Sequence, residues 1–316
     1  MTGRLHPEAV AALRAAAARS RPGVHLLPVA EARAHFEAES AETAPGPRLA
    51  AVTDLRIRPD LPARLYRPTV ARTGVVVYFH GGGWVLGSVD SHDALCRTLA
   101  ARSGCAVLGV DYRRAPEHPY PAAVDDAAAA LGWVAAHGEE HGLDPAATAV
   151  AGDSAGGNIA TAVAVRCRAA CGIRPRLQVL FYPVTTTDLD LGVDPGHDGL
   201  VLSREELAWH QDLYLPRRHE RRHPETSPLD HADLTGLPEA VILAAECDPI
   251  VPQSRLYADA LRAAGVGVEL HVHPGMIHGF AQYPDRFAAA RDALDRAGRA
   301  VHRALSEAPD RLPSRR

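Results

Sequence analysis

From residue 74 onward the chain repeats one pattern: a short unbroken apolar run, then a longer segment with apolar residues at helical spacing. The runs are 75–79 (VVVYF), 106–111 (AVLGVD), 148–152 (TAVAG), 177–182 (LQVLFY), 240–245 (AVILAA) and 268–273 (VELHVH). A strand with one wet face alternates apolar and polar residues. These runs are mostly continuous, so they predict a parallel sheet covered on both faces by helices. The helices fall near 90–103, 120–137, 155–171, 253–264 and 284–306, and in the last of them Phe287, Ala290, Leu294, Ala297, Val301 and Leu305 keep to one stripe. Ahead of this series, 49–58 and 61–67 alternate in the manner of an antiparallel opening to the sheet. Two Ala-rich helices, Pro7–Ser20 and Val29–Ser40, come first, closed off by PGPR at 45–48.

One connection is too long for a simple crossover. More than fifty residues separate Tyr182 from Ala240, and they include a helix-like piece, SREELAWHQDLYL. An excursion of that length over the carboxyl ends of the strands predicts a lid or cap, joined by the two amino-terminal helices. The chain is therefore read as one large α/β unit: cap helices in 1–48, and a main domain in 49–316 that carries a cap insertion at about 186–225.

Composition narrows the chemistry. All 34 basic residues are Arg, so a P-loop, a pyridoxal-phosphate Schiff base and a Ser-Lys dyad are excluded, since each uses a lysine amine. The net charge of −4 is dispersed, and no basic stripe tracks a phosphate backbone, so nucleic acid is not an expected partner. The start of the chain is charged and lacks the apolar core of a signal peptide, and no run is long enough to span a bilayer; both point to the cytoplasm. The five cysteines (Cys96, Cys105, Cys167, Cys171, Cys247) include no CxxC pair and read mainly as small buried hydrophobes.

The sharpest local signal is GDSAG, 152–156, set between an apolar strand and a helix. Such a tight turn holds Ser154 up at the sheet edge, and the helix behind it directs positive dipole at the reacting centre. HGGGW, 80–84, follows the strand VVVYF. Three glycines in succession cost backbone entropy and let amides turn toward one point, as stabilisation of an oxyanion requires. Gly81, Gly82 and Gly83 are the candidates there, the amides of Gly82 and Gly83 foremost, with Ala155 supplying a further N–H.

A serine hydroxyl needs a base, and the base needs an orienting partner. Only loops at the same sheet edge can converge, which selects Asp248, just past the strand 240–245, and His278, just past 268–273. Glu246 is the rival acid but sits at the strand end, while Asp248 is better placed in the loop before Pro249. Of seventeen histidines, His271 and His273 share a strand face and read as packing or surface residues. HERRH, 219–223, matches the HExxH zinc-protease string. That motif needs a buried helix, and here prolines and charges surround it, so it reads as coincidence.

With these residues in hand, the chain resembles the bacterial hormone-sensitive-lipase family of carboxylesterases, over about 59–280. The resemblance rests on HGGGW (80–84), SHDALCRTLA (91–100), DYRRAPEHPYPAAVDD (111–126), GDSAGGN (152–158), FYP (181–183), DPI (248–250) and HGF (278–280). It implies an α/β-hydrolase fold, an eight-stranded mostly parallel sheet flanked by helices, with a helical cap. It also implies Ser154 as nucleophile, Asp248 as acid, His278 as base, oxyanion glycines within Gly81–Gly83, and a scaffold role for Tyr112, Arg113 and Glu117. One departure stands out: the family's acid loop continues with a further acidic residue, whereas this chain has Val251, Pro252 and Gln253.

The expected function is hydrolysis of short-chain or small bulky carboxylic esters through an acyl-enzyme, with no cofactor and no metal. Trp84, Tyr182, Leu202, Trp209 and Tyr214 are candidates for pocket and cap walls. A deacetylase or tailoring esterase acting on an acetylated natural product would use the same triad. A non-catalytic binding protein on this fold would have lost part of it. The family resemblance also suggests a homodimer or a monomer, with the strand 268–273 as the edge along which a homodimer would pair.

Overall fold

The computed structural model describes residues 4–170, 172–230 and 233–306; Cys171, residues 231 and 232 and the chain ends lie outside them. Eight strands form one sheet: β1 (Ala51–Arg58), β2 (Leu61–Arg67), β3 (Thr73–Phe79), β4 (Ala106–Val110), β5 (Leu143–Asp153), β6 (Leu177–Phe181), β7 (Glu239–Cys247) and β8 (Val268–Ile277). Their spatial order is β1-β2-β4-β3-β5-β6-β7-β8. β2 pairs antiparallel with both β1 and β4, and every other pairing is parallel. The chain leaves β3 toward β4 on one side and returns as β5 on the other. The carboxyl ends of β3 and β5 thus flank a point where the topology reverses, the usual place for a ligand in an open α/β sheet.

Nine helices accompany the strands among the described residues: α1 (Pro7–Ala18), α2 (Val29–Ser40), α3 (Asp93–Ser103), α4 (Ala122–His137), α5 (Ala155–Ala170), α6 (Leu189–Gly192), α7 (Arg204–Tyr214), α8 (Val251–Ala263) and α9 (Ala288–Ser306). Neighbouring strand residues point to opposite faces. Val75, Val77 and Phe79 pack with Ala127 and Leu131 of α4, Ile159 of α5 and Leu261 of α8. Val76 and Tyr78 pack on the other face, with Leu95 and Leu99 of α3 and Leu294, Ala297 and Val301 of α9. Both faces are dry, which is why the strands read as continuous apolar runs. Cys96, Cys105, Cys167 and Cys247 are buried, as read from the sequence.

The structure moves several boundaries. β5 begins at Leu143, where it pairs with Thr73, although Asp144 and Pro145 interrupt its apolar pattern. β8 continues through Pro274 and Gly275 to pair Ile277 with Cys247 after a register shift. α3 starts at Asp93, because the Ser88 and Ser91 side chains close a separate turn before it. α9 starts at Ala288, after the turn in which the Arg286 and Phe287 amides return to Tyr283 O.

Between β6 and β7 the long excursion carries α6, α7 and two 3₁₀ turns, Arg218–Arg222 and Pro228–Asp230. α7 starts with a capping box: Ser203 Oγ accepts from Glu206 N, and the Glu206 side chain accepts from Ser203 N. The amino-terminal helices go to different places. α1 docks on the end of β8 and the start of α9, through His6 N to Gly275 O (3.0 Å) and Ala288 N to Glu8 Oε2 (3.0 Å). The 3₁₀ turn Val24–Leu26 adjoins both α7 and α2, and Arg33 of α2 donates to Val85 O and Ala115 O and pairs with Glu117. No helix among the described residues is long and apolar enough to cross a membrane.

Candidate active site

Three side chains stand one residue past three strand ends: Ser154 after β5, Asp248 after β7 and His278 after β8. Parallel strands end at the same rim, so residues far apart in sequence are delivered together. His278 Nε2 lies 2.9 Å from Ser154 Oγ, and His278 Nδ1 lies 2.7 Å from Asp248 Oδ2. A carboxylate can only accept, so Nδ1 carries the proton and the Nε2 lone pair faces the serine hydroxyl. Asp248 is fully buried and is held by the Ile250 amide on Oδ1 (2.9 Å). The rival Glu246 instead accepts from Gly275 N (2.8 Å), bracing the end of β8.

Ser154 sits at φ +54°, a left-handed backbone that non-glycine residues rarely adopt. Its amide donates to Phe181 O (2.9 Å), and its carbonyl accepts from Val184 N and Asn158 N (3.0 and 3.1 Å), which holds the turn. The flanking glycines are obligatory. A Cβ on Gly152 would lie 2.3 Å from the Gly156 backbone, and one on Gly156 would lie 2.0 Å from Phe79 O.

HGGGW arches over the same rim. Gly82 and Gly83 take φ +108° and +60°. The amides of Gly82, Gly83 and Ala155 find no acceptor among the described residues. Gly81 differs from the sequence expectation, because its N–H already donates to Asp153 Oδ1 (2.8 Å) and is not free for a ligand. A Cβ on Gly81 would meet Asp153 Oδ2 at 2.3 Å, so this glycine is kept for packing against the carboxylate.

Asp153 was not singled out in the sequence, although it lies inside GDSAG next to the serine. It also accepts from Tyr78 OH (2.7 Å) and pairs with His92 (3.3 Å). Burial works to raise its pKa, but His92 and the Tyr78 hydroxyl outweigh burial and hold the carboxyl below its ordinary value. His92 in turn meets Gln282 Nε2 at 2.7 Å. This buried network ties the glycine loop to the turn that carries Ser154. Beside it, the Tyr112 hydroxyl donates to His80 O (2.9 Å) and Arg113 grips the buried Asp126, so the 111–126 segment braces the loop from below.

The other candidates fall out as follows. The Tyr182 ring packs 4.8 Å from the His278 ring. Trp84 and Tyr214 are buried and stacked at 4.6 Å, at the foot of the glycine loop. Leu202 and Trp209 are half-buried against the same core cluster, and Trp209 meets His210 rather than the triad. His271 lies near Arg296 and His273 near Asp292, both away from Ser154. HERRH forms the 3₁₀ turn Arg218–Arg222 and its flank, with His219 and His223 exposed. Among the described residues no group of three or more His, Cys, Asp or Glu could hold a metal ion.

A hydroxyl, an imidazole and a carboxylate in series can move a proton, and unclaimed amides beside them can receive a developing negative charge. Known proteins share this chain's design. Residues 76–282 match the alpha/beta hydrolase fold family Abhydrolase_3. The carboxylesterase NlhH of Mycobacterium tuberculosis is 44% identical over 252 residues, covering 78% of this chain and 79% of that one. The ethyl acetate hydrolase of Pseudomonas putida is 38% identical over 291 residues, covering 87% and 92%. The crystal structure of a thermostable esterase from Pseudomonas putida ECU1011 superposes with a TM-score of 0.89 at 32% identity, covering 96% of this chain and 98% of that one. The chain therefore belongs to the alpha/beta hydrolase fold family, in its hormone-sensitive-lipase-like branch, and is a hydrolase of the esterase type.

Proposed function

We propose that the protein is a serine carboxylesterase acting on short-chain or small bulky esters through an acyl-enzyme. Ser154 Oγ attacks the ester carbonyl while its proton passes to His278 Nε2, and Asp248 steadies the imidazolium. The carbonyl oxygen becomes an oxyanion facing the amides of Gly82, Gly83 and Ala155. The tetrahedral adduct collapses, the C–O bond to the alcohol breaks, and the alcohol leaves with the proton from His278. Water, deprotonated by the same imidazole, then attacks the acyl-serine, and the acid departs as Ser154 regains its proton.

The observation that carries this reading is the hydrogen-bonded series Ser154–His278–Asp248, at 2.9 and 2.7 Å, beside three amides that find no acceptor among the described residues. The excursion at 186–225 and the segment 1–48 are taken as the cap, which limits the space above the serine and favours compact esters. Relatives named ethyl acetate hydrolase and acetyl esterase agree with a small acyl group.

A phosphonate probe tests the assignment. It should add to Ser154, seen by intact mass and peptide mapping, and Ser154→Ala should abolish labelling and cut ester turnover by roughly 10⁶-fold. Turnover retained by a folded Ala variant overturns the proposal.

A further inference from the structure

The inner face of α7 breaks the rule for a helix packed on a core. Leu207, His210, Gln211 and Tyr214 are its buried residues, at i, i+3, i+4 and i+7, and three of the four carry hydrogen-bonding groups. Several of their atoms find no well-aligned partner among the described residues. His210 Nδ1, Gln211 Oε1 and Tyr214 OH are all buried without a hydrogen-bond partner, and so is Nε1 of Trp84, whose ring stacks on Tyr214. Buried polar atoms are almost always paired, because an unpaired one costs about 1–3 kcal/mol. A run of them on one helix face beside the glycine loop has the hydrogen-bonding capacity to hold a polar ligand.

His210 is the member nearest the chemistry. Its imidazole lies directly over Gly83: a Cβ on that glycine would come within 2.2 Å of His210 Nδ1 and 2.5 Å of Cε1. It is only 6% exposed. It is also close enough to His278 that a charge on either ring is felt by the other. Burial pushes its pKa down to about 4, against an opposing backbone hydrogen bond with Gly83, so at neutral pH the ring is uncharged, and the nitrogen turned away from Gly83 is available to a ligand.

We propose that His210 is a specificity-determining residue, its imidazole hydrogen-bonding a hydroxyl or carbonyl carried one or two bonds from the scissile carbonyl. The preferred substrates are accordingly small oxygenated esters, such as 2- or 3-hydroxyacyl esters, rather than plain alkyl esters. The proposal rests on the reading in which the ester carbonyl oxygen lies at the Gly82 and Gly83 amides. A substrate held there has its next one or two atoms beneath the His210 ring. An alkyl chain in the same place would leave the His210 imidazole without a partner, and a site built for hydrogen bonds rejects the analogue that lacks them.

The test compares matched pairs: methyl 3-hydroxybutyrate against methyl butyrate, and ethyl lactate against ethyl propionate. The readout is the ratio of kcat/KM within each pair, so a general loss of activity cancels. The wild-type protein should favour the hydroxylated member of at least one pair by about tenfold or more. His210→Phe, which keeps an aromatic ring over Gly83, should reduce that ratio to near one, and His210→Asn should restore part of it. Stoichiometric phosphonate labelling of Ser154 in each variant establishes that the nucleophile and its base still work. Labelled variants whose ratios equal the wild-type ratio overturn the role of His210, as does a wild-type preference for the alkyl esters in both pairs. A wild-type protein that resists the phosphonate while cleaving esters instead overturns the underlying serine mechanism.

Discussion

At the scale of the residue, the candidate triad was legible because Ser154, Asp248 and His278 stand just past recognisable strands, and the fold delivers strand ends to one rim. Asp153 and His210 were not legible, for different reasons. Asp153 lay in plain view inside GDSAG, but only three dimensions reveal that its carboxylate receives the Gly81 amide and so takes that glycine out of the set of free donors. His210 lies on a helix whose inner face a periodicity argument assigns to apolar packing. The structure adds a consequence for pH. Burial disfavours a charged His278, but Asp248 at 2.7 Å overrides burial and lifts the imidazole pKa above its ordinary 6.5. A base must be unprotonated, so kcat/KM should fall as pH drops, with the midpoint of the acid limb above 6.5. The stability linkage runs the other way. A pKa raised by folding adds stability that is full below the unfolded value and is lost as pH climbs through the folded one, so the charged pair is firmest where the enzyme is idle. Rates between about pH 5 and 9, with circular dichroism at each point, decide the matter. An acid limb centred below about pH 6 in folded protein removes His278 from the role of base.

At the scale of the element, every long strand and helix was readable from periodicity, whereas boundaries shifted wherever a polar or cyclic residue lay inside a paired segment. β8 is the instructive case. Pro274 and Gly275 read as the end of a strand, yet the sheet resumes at Ile277 and thereby fixes where His278 begins. The acid loop is another. Gln253, which departs from the family pattern, is buried in α8. Its Oε1 accepts the amides of Thr185 and Thr186 (2.7 and 3.1 Å), and its Nε2 donates to Gly192 O (3.3 Å). A neutral amide can serve both kinds of partner at once, which a carboxylate cannot. Gln253 thus pins the chain as it leaves β6 and enters α6, at the root of the excursion. Gln253→Ala strands two buried N–H groups and should cost about 2–4 kcal/mol of stability in urea titration. A loss under about 0.5 kcal/mol shows that the root is held by other means.

At the scale of the whole molecule, the sheet carries a packed core on each face, and the segment from α1 to α2 joins these cores through apolar residues such as Ala9, Ala32 and Phe36 and through polar contacts distant in sequence. Arg33 makes the decisive set for α2: Nε to Val85 O and Nη2 to Ala115 O, both at 2.8 Å, and two bonds to Glu117. The Glu117 carboxylate is largely exposed and adds little by itself. The two carbonyls matter more, since Val85 lies one residue beyond HGGGW and its position governs how the Gly82 and Gly83 amides are presented. Arg33→Ala should therefore free α2 and loosen the glycine loop without dismantling the sheet, whose faces are packed by α3, α4, α5, α8 and α9. Local opening then precedes global unfolding. Followed through a urea titration, esterase activity in the variant should vanish at a lower concentration than the far-ultraviolet dichroism of the core, whereas the two curves should nearly coincide in the wild-type protein. If both curves move together in Arg33→Ala, the amino-terminal segment is part of the cooperative core, and the glycine loop owes its shape to the Asp153 network and the 111–126 segment alone.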